Sequence, residues 1–218
     1  MKSFKCSALV GALALACLAQ PSLAVDSTLW DWAYNNGSFL GATAPGNADI
    51  SGFDFVTGLG TIVVTSNVSG YFGLYLDHDL ALNTTGFAWE AGTAVGSVAA
   101  GQSWEIDDPW NGDIYANVAT GQLDNQAQAS SIGDVAMALA WQYNLGAGDV
   151  ATMKFTVADS LLCSTCFHLT QTDTLGSDTL YYSSTLEITP GVPEPSTYAL
   201  MGIGLLGLWA MQRKRLEL

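Results

Sequence analysis

Apolar and polar residues alternate most regularly between residues 135 and 157. The apolar residues occupy every second position, first at Val135, Met137, Leu139, Trp141, Tyr143 and Leu145, and then at Met153, Phe155 and Val157. Period-two alternation is typical of a strand with one buried face, and two such runs joined by the Gly-rich turn at residues 146–149 predict a β-hairpin. The other positions of the first run are small or polar, which predicts that the hairpin packs on one side only.

Shorter runs of the same kind recur at residues 60–68, 71–78, 86–92, 102–107 and 179–188. Turn-forming Gly, Asn, Asp and Ser residues separate them. Many short strands with turns between them predict an all-β fold, an antiparallel β-sandwich of the jelly-roll-like kind. Within this part of the chain, helix is expected only as a turn or two in residues 114–128.

The N-terminal end differs from this central pattern. Residues 1–24 begin with two lysines, continue with an apolar stretch over residues 6–19 and end in Ser-Leu-Ala. This order predicts a secretory signal peptide that is cleaved after Ala24. Lipidation of Cys17 is the alternative, but the apolar stretch before it is short, and Ala14 stands where such signals use a bulky residue.

The C-terminal part, residues 190–218, is not expected to continue the sheet. Three prolines between Pro190 and Pro195 remove backbone donors, so this stretch is expected to be an extended linker. Tyr198–Met211 is then a run of 14 mostly apolar residues, short for a bilayer-spanning helix, and Arg213, Lys214 and Arg215 are expected to hold its end on the cytoplasmic side. The predicted parts are a signal peptide (1–24), a β-sandwich domain (25–189) and a tail (190–218).

This tail resembles a known sorting signal. Pro193-Glu194-Pro195, the short apolar run and the basic cluster Arg213-Lys214-Arg215 have the order and spacing of the PEP-CTERM tail, found on exported proteins of exopolysaccharide-producing Gram-negative bacteria. The resemblance implies that an exosortase, a membrane enzyme, cuts the tail near Pro-Glu-Pro. It also implies transient anchoring in the inner membrane and then delivery to the cell surface or extracellular matrix. An ordinary C-terminal anchor is the alternative, and it leaves the Pro-Glu-Pro unexplained.

Charge separates the predicted domain from both ends. Residues 25–192 contain 18 Asp and Glu and a single cation, Lys154, which gives a net charge of about −17. Such a surface repels phosphate backbones, so nucleic acid is excluded as a partner. Cys163 and Cys166 are expected to form a structural disulfide in an exported protein. A zinc half-site is disfavoured, because a structural zinc needs four ligands and the chain has only two histidines.

Carboxylates concentrate in the segment WEIDDPWNGD, residues 104–113. Its start resembles the E-[hydrophobic]-D-x-x-E signature of a jelly-roll glycosidase family, and Glu105 and Asp107 are expected on the same face of a strand. Pro109 and Trp110, however, stand where that family has its second glutamate. Retaining hydrolysis needs a second carboxyl about 5–5.5 Å from the nucleophile, so we predict that the protein is not an enzyme.

The same segment contains a candidate calcium site at Asp107, Asp108, Asn111 and Asp113, because calcium takes oxygen ligands from irregular loops. Pro109 and Val118 break the EF-hand pattern. The competing interpretation is a solvated turn with no cofactor, since Asp, Asn and Gly favour turns.

Two further groups of side chains raise a question of function. Trp110, beside a proline in a predicted loop, is the tryptophan expected to be exposed and to stack on a sugar ring. Asp77-His78-Asp79, with Asp77 and Asp79 on one face, is expected to mark the point where a strand meets water, and a second metal or acid/base role is the alternative.

Together these patterns predict an exported, non-enzymatic protein with a structural or adhesive role in an exopolysaccharide matrix or biofilm. Its expected partners are an exosortase-type enzyme, the inner membrane for a time, and extracellular polysaccharide. The alternative is a carbohydrate-binding module, less readily a carbohydrate-cleaving one, with Glu105, Asp107 and Trp110 at its site and with or without calcium.

Overall fold

A computed structural model describes residues 25–37, 40–80, 89–127, 133–191 and 197–216. The predicted signal peptide and the Pro193-Glu194-Pro195 motif lie outside these ranges. Eleven strands and two helices occur in the described chain. They are β1 (Ser27–Asn35), β2 (Leu40–Gly41), β3 (Ala48–Asp54), β4 (Leu59–Ser66), β5 (Gly70–Leu80), β6 (Glu90–Val95), β7 (Gln102–Asp107), α1 (Ile114–Thr120), β8 (Ala136–Tyr143), β9 (Val150–Ala158), β10 (His168–Asp173), β11 (Thr179–Thr189) and α2 (Thr197–Leu216).

The strands form two antiparallel sheets, which confirms the predicted β-sandwich. The five-stranded sheet has the order β2-β1-β5-β8-β7, and the six-stranded sheet has the order β3-β4-β9-β11-β10-β6. Their inner faces share one apolar core, to which Phe72 and Leu139 contribute from the first sheet and Val64 and Phe155 from the second. The rings of Phe72 and Phe155 meet across the two sheets, with centroids 5.6 Å apart.

The predicted hairpin of residues 135–157 is wrong. Strand β8 pairs with β5 and β7, whereas β9 pairs with β4 and β11, so the turn at residues 146–149 carries the chain from one sheet to the other. The apolar faces of both strands, including Met137 and Met153, are buried in the same core. Alternation reports which face of a strand is buried, and it does not report which strand lies beside it.

The expectation that this unit packs on one side only is also wrong, because the outer face of β8 is covered. Ala136, Ala138 and Ala140 are buried there in a second apolar cluster that includes Ile114 and Val118 of α1. The small side chains let the short helix lie close to the sheet. Helix α1 coincides with the helical turns expected within residues 114–128 and ends at Gly121, whose φ of 71° is the left-handed conformation that favours glycine.

A chain of polar side chains crosses the core at one end of the sandwich. His78 Nε2 lies 3.2 Å from the Gly58 carbonyl oxygen, and His78 Nδ1 lies 3.1 Å from the Tyr182 hydroxyl. The Tyr182 hydroxyl donates to Gln171 Oε1, and Gln171 Nε2 donates to Glu90 Oε2. The four side chains are almost completely buried. The interpretation of Asp77-His78-Asp79 as a strand end in water is therefore wrong, since β5 continues to Leu80 and both Asp77 and His78 are buried.

Helix α2 contains the apolar run of the tail. Its described apolar side chains are exposed, including Leu200, Ile203, Leu206 and Trp209. The Arg213 guanidinium carbon lies 5.4 Å from the centre of the Trp209 ring, a cation–π contact one turn along the helix. In the part of the chain that the structure describes, no helix is long and apolar enough to cross a membrane.

Candidate functional site: the acidic outer face

Segment 104–113 runs from the edge strand β7 through a tight turn into α1. Asp108 organises this turn, because its Oδ1 accepts hydrogen bonds from the backbone amides of Trp110 (2.8 Å) and Asn111 (2.9 Å). Its Oδ2 accepts from the Asn111 side-chain amide at 2.9 Å. Two of the four predicted calcium ligands, Asp108 and Asn111, are thus hydrogen-bonded to each other in an Asx-type turn.

Glu105 and Asp107 point to the outer face of the five-stranded sheet, in register with Ala138 and Ala136 of β8. Glu105 is 0% exposed and accepts hydrogen bonds from Asn117 Nδ2 (3.1 Å to each oxygen) and from the Asp124 amide (3.3 Å). Burial raises the pKa of the Glu105 carboxyl to about 7, although these hydrogen bonds oppose the rise. Asp107 accepts from the amides of Asp108 (2.8 Å) and Asp113 (2.7 Å).

Three carboxylates converge at the start of α1. Oxygen atoms of Glu105, Asp107 and Asp113 lie within 4.8 Å of one another. This group shares Asp107 and Asp113 with the predicted calcium site, but it contains Glu105 in place of Asp108 and Asn111. Both oxygens of Glu105 and both of Asp107 already accept protein hydrogen bonds. The convergence is therefore accounted for by the folding of the turn, and calcium at this group stays a prediction.

The same group bears on glycoside hydrolysis. Asp113 supplies a second carboxyl near Glu105, a neighbour that the sequence spacing does not reveal. A nucleophile, however, has to reach the anomeric carbon of a sugar, and Glu105 lies beneath Asn117 and the 124 amide with no exposed surface. The arrangement supports a structural carboxylate at Glu105 better than a catalytic one.

A second group of acids lies on the same outer face, and the sequence raises two of its members, Asp77 and Asp79, but not Asp31 or Asp134. Asp77 of β5 stands opposite Asp31 of β1, and Asp79 follows two residues later on the same strand. Asp134, just before β8, completes the group. The available signal was the alternation of Asp77 and Asp79 along β5, which places both on one face. Nothing in the sequence around Asp134 indicates that it lies near Asp77, because that proximity depends on the pairing of β5 with β8.

The negative charge of these acids is offset by few hydrogen bonds. Asp77 is 2% exposed, and burial together with the charges of Asp134 and Asp79 raises its pKa to about 8. Burial and the charge of Asp79 raise the pKa of Asp134 to about 6, although the nearby Trp110 side chain lowers it. Oδ1 of Asp77 and Oδ1 of Asp134 are both buried, and neither accepts a hydrogen bond.

Trp110, the predicted sugar-stacking residue, lies at the rim of this face and is 73% exposed. Its side chain lies near the Asp134 carboxyl and lowers the pKa of that group. Trp30 in β1 is also largely exposed, at 64%. An exposed aromatic ring can stack on a flat apolar surface, and the sequence suggested this role for Trp110 but not for Trp30.

The opposite side of the domain has a cleft of about 500 Å³ beside the Cys163–Cys166 disulfide, whose Cα atoms are 5.4 Å apart. Lys154, His168 and Tyr181 line it together with apolar residues of the disulfide loop. Lys154 is the single cation between residues 25 and 192. The cleft therefore differs in charge from the acidic outer face.

The tail completes the functional residues named from the sequence. Arg213, Lys214 and Arg215 lie in the last turns of α2. Pro193, Glu194 and Pro195 fall in the undescribed segment between Gly191 and Thr197, so the structure does not place the predicted cleavage motif.

Comparison with known families identifies the tail. Residues 191–215 match the PEP-CTERM protein-sorting motif, which spans all of the tail residues nominated above. The motif implies an exported protein that is processed by an exosortase-type enzyme. No curated protein and no solved structure matches the chain.

Proposed function

We propose that this PEP-CTERM protein, exported and sorted by an exosortase, is a non-enzymatic component of the cell surface or extracellular matrix with a structural or adhesive role. The proposal rests on the sorting motif, which begins within a few residues of Thr189, the last residue of the β-sandwich. The best catalytic candidate of that β-sandwich, Glu105, is completely buried.

The charge of the domain supports this role. A net charge of about −17 keeps an exported domain soluble and repels it from anionic polymers unless cations lie between them. Divalent cations and neutral sugar surfaces are therefore the contacts that such a domain can make in a matrix.

The route of delivery is proposed in more detail from the tail. Helix α2 would anchor the chain in the inner membrane until cleavage, with Arg213, Lys214 and Arg215 on the cytoplasmic side. The exported domain would then leave for the cell surface without α2.

The delivery step is tested with the full chain carrying Pro193→Ala and Pro195→Ala in an exosortase-positive host. Wild type is expected as a shortened species in the surface or matrix fraction, whereas the double variant keeps its full length and stays with the membrane. Pro190→Ala is the matched control, because Pro190 lies just outside the matched motif. Equal processing of all three chains, or processing in a host without the exosortase, would contradict the proposed route.

The matrix role is tested by deleting the gene and adding back the wild-type chain. Loss of biofilm cohesion that the wild type restores, with co-sedimentation of the protein and purified exopolysaccharide, is expected. Unchanged cohesion together with no co-sedimentation would remove the proposal.

A carbohydrate-binding function is the second candidate, and the exposure of Trp110 at the rim of the acidic outer face favours it. Replacing an aromatic platform by alanine removes about 1–3 kcal/mol of stacking when the platform contacts the ligand. Affinity electrophoresis in exopolysaccharide gels should show retardation of the wild-type chain that Trp110→Ala abolishes. Trp30→Ala removes a similarly exposed ring and should keep the retardation of the wild type. Equal retardation of all three chains would contradict a carbohydrate-binding role for Trp110.

A further inference from the structure

We propose that the cleft beside the Cys163–Cys166 disulfide binds a small organic acid, with its carboxylate at Lys154, an oxygen at the Ser184 hydroxyl and a largely apolar body between them. This inference goes beyond the proposed matrix role and does not depend on it.

A gap in the six-stranded sheet forms the cleft. Strand β10 pairs with β11 only over Thr179–Tyr182 of β11, whereas β9 pairs with β11 as far as Thr189. Within the described chain, the edge of β11 that faces away from β9 therefore has no paired strand beyond Tyr182. The disulfide loop, residues 159–167 between β9 and β10, encloses a space of about 500 Å³ there together with side chains of the other sheet. A pocket of this size accommodates a small organic ligand.

Charge sets this cleft apart from the rest of the domain. Residues 25–192 contain 18 Asp and Glu. None of the described residues that line the cleft is acidic, and one of them is Lys154, the single cation of that range. The residues opposite Lys154 on the two neighbouring strands, Val63 and Thr185, are uncharged. Because salt screens charges that lie more than about 8 Å away at physiological ionic strength, Lys154 makes the cleft the place in this domain that favours an anion.

The Ser184 hydroxyl offers a second polar contact. Its oxygen accepts hydrogen bonds from Gln102 Nε2 and Trp141 Nε1, each at 3.0 Å, because both of these nitrogens can only donate. The orientation of the Gln102 amide follows from its Oε1, which accepts from the Ala99 amide at 3.0 Å. The hydroxyl proton of Ser184 is therefore left without an acceptor among the described residues. Since Ser184 lines the cleft and is 8% exposed, an oxygen of a ligand can accept this proton.

The other walls of the cleft are mostly apolar. Leu161, Leu162, Phe167 and Leu186 contribute to them. Leu162 is 68% exposed and Leu161 is 42% exposed, so an apolar ligand that covers them removes apolar surface from water.

The outer wall is fixed before any ligand binds. The disulfide closes the loop, and the His168 ring at the start of β10 lies with Nδ1 2.9 Å from the Cys166 carbonyl oxygen. A wall that is already ordered lowers the entropy cost of binding.

These features together select the class of ligand. A neutral apolar molecule leaves the Lys154 ammonium without a counter-charge. A sugar acid has hydroxyl groups on all sides, and the apolar walls leave several of them without hydrogen-bond partners. A carboxylate on an apolar body, with one further oxygen, matches the ammonium, the apolar walls and the free hydroxyl proton.

The first test titrates the full chain in lipid nanodiscs by saturation-transfer NMR, with empty nanodiscs subtracted. The probe is 4-hydroxyphenylacetate, which has a carboxylate, a flat apolar ring and an oxygen at the far end. We expect saturable binding that is weaker by about tenfold for the uncharged 4-hydroxyphenylacetamide and by about threefold for phenylacetate, which lacks the far oxygen. Octanoate and glucuronate replace the aromatic body by an aliphatic chain and by a sugar. Octanoate is expected to bind and glucuronate is not.

The second test changes the charge of the cleft. Lys154→Met should weaken the binding of 4-hydroxyphenylacetate by about tenfold and leave that of the amide unchanged, whereas Lys154→Arg should keep most of the affinity. Thr152→Met is the matched control, because Thr152 lies on the same face of β9 two residues away and outside the residues that line the cleft. An unchanged Tm of the three variants checks that they are folded.

The third test changes the apolar wall. Leu162→Ser should weaken binding by about threefold or more, since it removes apolar surface that the ligand covers. Leu175→Ser replaces a leucine that is equally exposed, at 69%, outside the cleft, and it should leave the affinity unchanged. Absence of saturable binding for both the aromatic and the aliphatic acid would overturn the proposal. Tighter binding of glucuronate than of either acid, or equal losses for Lys154→Met and Thr152→Met, would overturn it as well.

Discussion

His78 Nδ1 in β5 and the hydroxyl of Tyr182 in β11 lie 3.1 Å apart, which makes a polar contact between the two sheets inside the apolar core. The hydroxyl also donates to Gln171 Oε1 in β10. Burial lowers the pKa of His78 to about 4, so its imidazole is neutral at physiological pH. A neutral imidazole has one N–H, so His78 donates either to the Gly58 carbonyl through Nε2 or to the Tyr182 hydroxyl through Nδ1, and the buried polar contact joins the two sheets.

Tyr182→Phe should destabilise the domain by about 1–3 kcal/mol, because it keeps the ring but leaves Gln171 Oε1 and His78 Nδ1 buried without the hydroxyl. Urea unfolding of the full chain measures this loss. Tyr181→Phe removes a hydroxyl from the neighbouring, partly exposed tyrosine and should change the free energy of unfolding little. Equal effects of the two substitutions would show that the buried network contributes nothing special.

Gly58→Ala should be more damaging, at about 2–5 kcal/mol, since left-handed backbone disfavours alanine and a crowded core resists added atoms. The φ of Gly58 is +70°, and a Cβ placed there would lie 1.8 Å from His78 Nε2. Gly46→Ala is the control, because nothing lies within 4 Å of its added Cβ. Thermal melts of both variants check the prediction, and a Gly58→Ala chain as stable as wild type would contradict the geometry at His78.

Stability should fall as the pH rises from about 5 to about 7 in calcium-free buffer. Glu105 has a folded-state pKa of about 7 against an ordinary value of 4.5, so its folded carboxyl keeps a proton that the unfolded chain releases in this window. The corresponding stability is fully present below pH 4.5 and is lost as the pH passes through the folded pKa.

The control for this pH dependence is Glu105→Gln, which stays neutral throughout. It can keep its contact with Asn117 if the Asn117 amide turns over, and its slope of unfolding free energy against pH should be shallower by up to about one proton. Urea midpoints at several pH values give both slopes. Identical slopes for the two chains would mean that Glu105 titrates as an exposed residue.

Reduction of the Cys163–Cys166 disulfide should cost about 2 kcal/mol or less, because a loop of so few residues restricts the unfolded chain only weakly. Unfolding with and without dithiothreitol measures the difference. The double variant Cys163→Ser and Cys166→Ser should be insensitive to the reductant. A loss well above this size would indicate that the disulfide also holds the cleft beside Lys154 together.

The strand pattern of residues 135–157 shows how far sequence reasoning reaches. Alternation correctly places Met137, Leu139 and Phe155 in the core, since a side chain's face follows from its position along one strand. It does not identify the neighbour of that strand. Strand β8 pairs with β5, whose paired residues lie 59 to 73 positions earlier in the chain, and this pairing follows from how the apolar faces of the two sheets cover each other.

For the acidic residues, too, the sequence predicts one part of the arrangement and only the structure decides the other. The sequence singles out segment 104–113, and the structure accounts for most of its carboxylates as hydrogen-bonded parts of a turn and a helix start. Asp134 has no sequence feature that links it to Asp77. Only the pairing of β5 with β8 brings them together, and only burial leaves their oxygens without partners.

The sequence by itself determined the export route and the all-β class. A sorting tail is recognised from the order of its residues along the chain, and alternation of apolar and polar residues is a property of each single strand, so both are visible in the sequence. The tertiary structure alone decided which strands pair, that α1 covers the outer face of β8, and which carboxylates are buried without partners. Those outcomes depend on contacts between distant residues, which the local pattern of hydrophobic and polar positions does not encode.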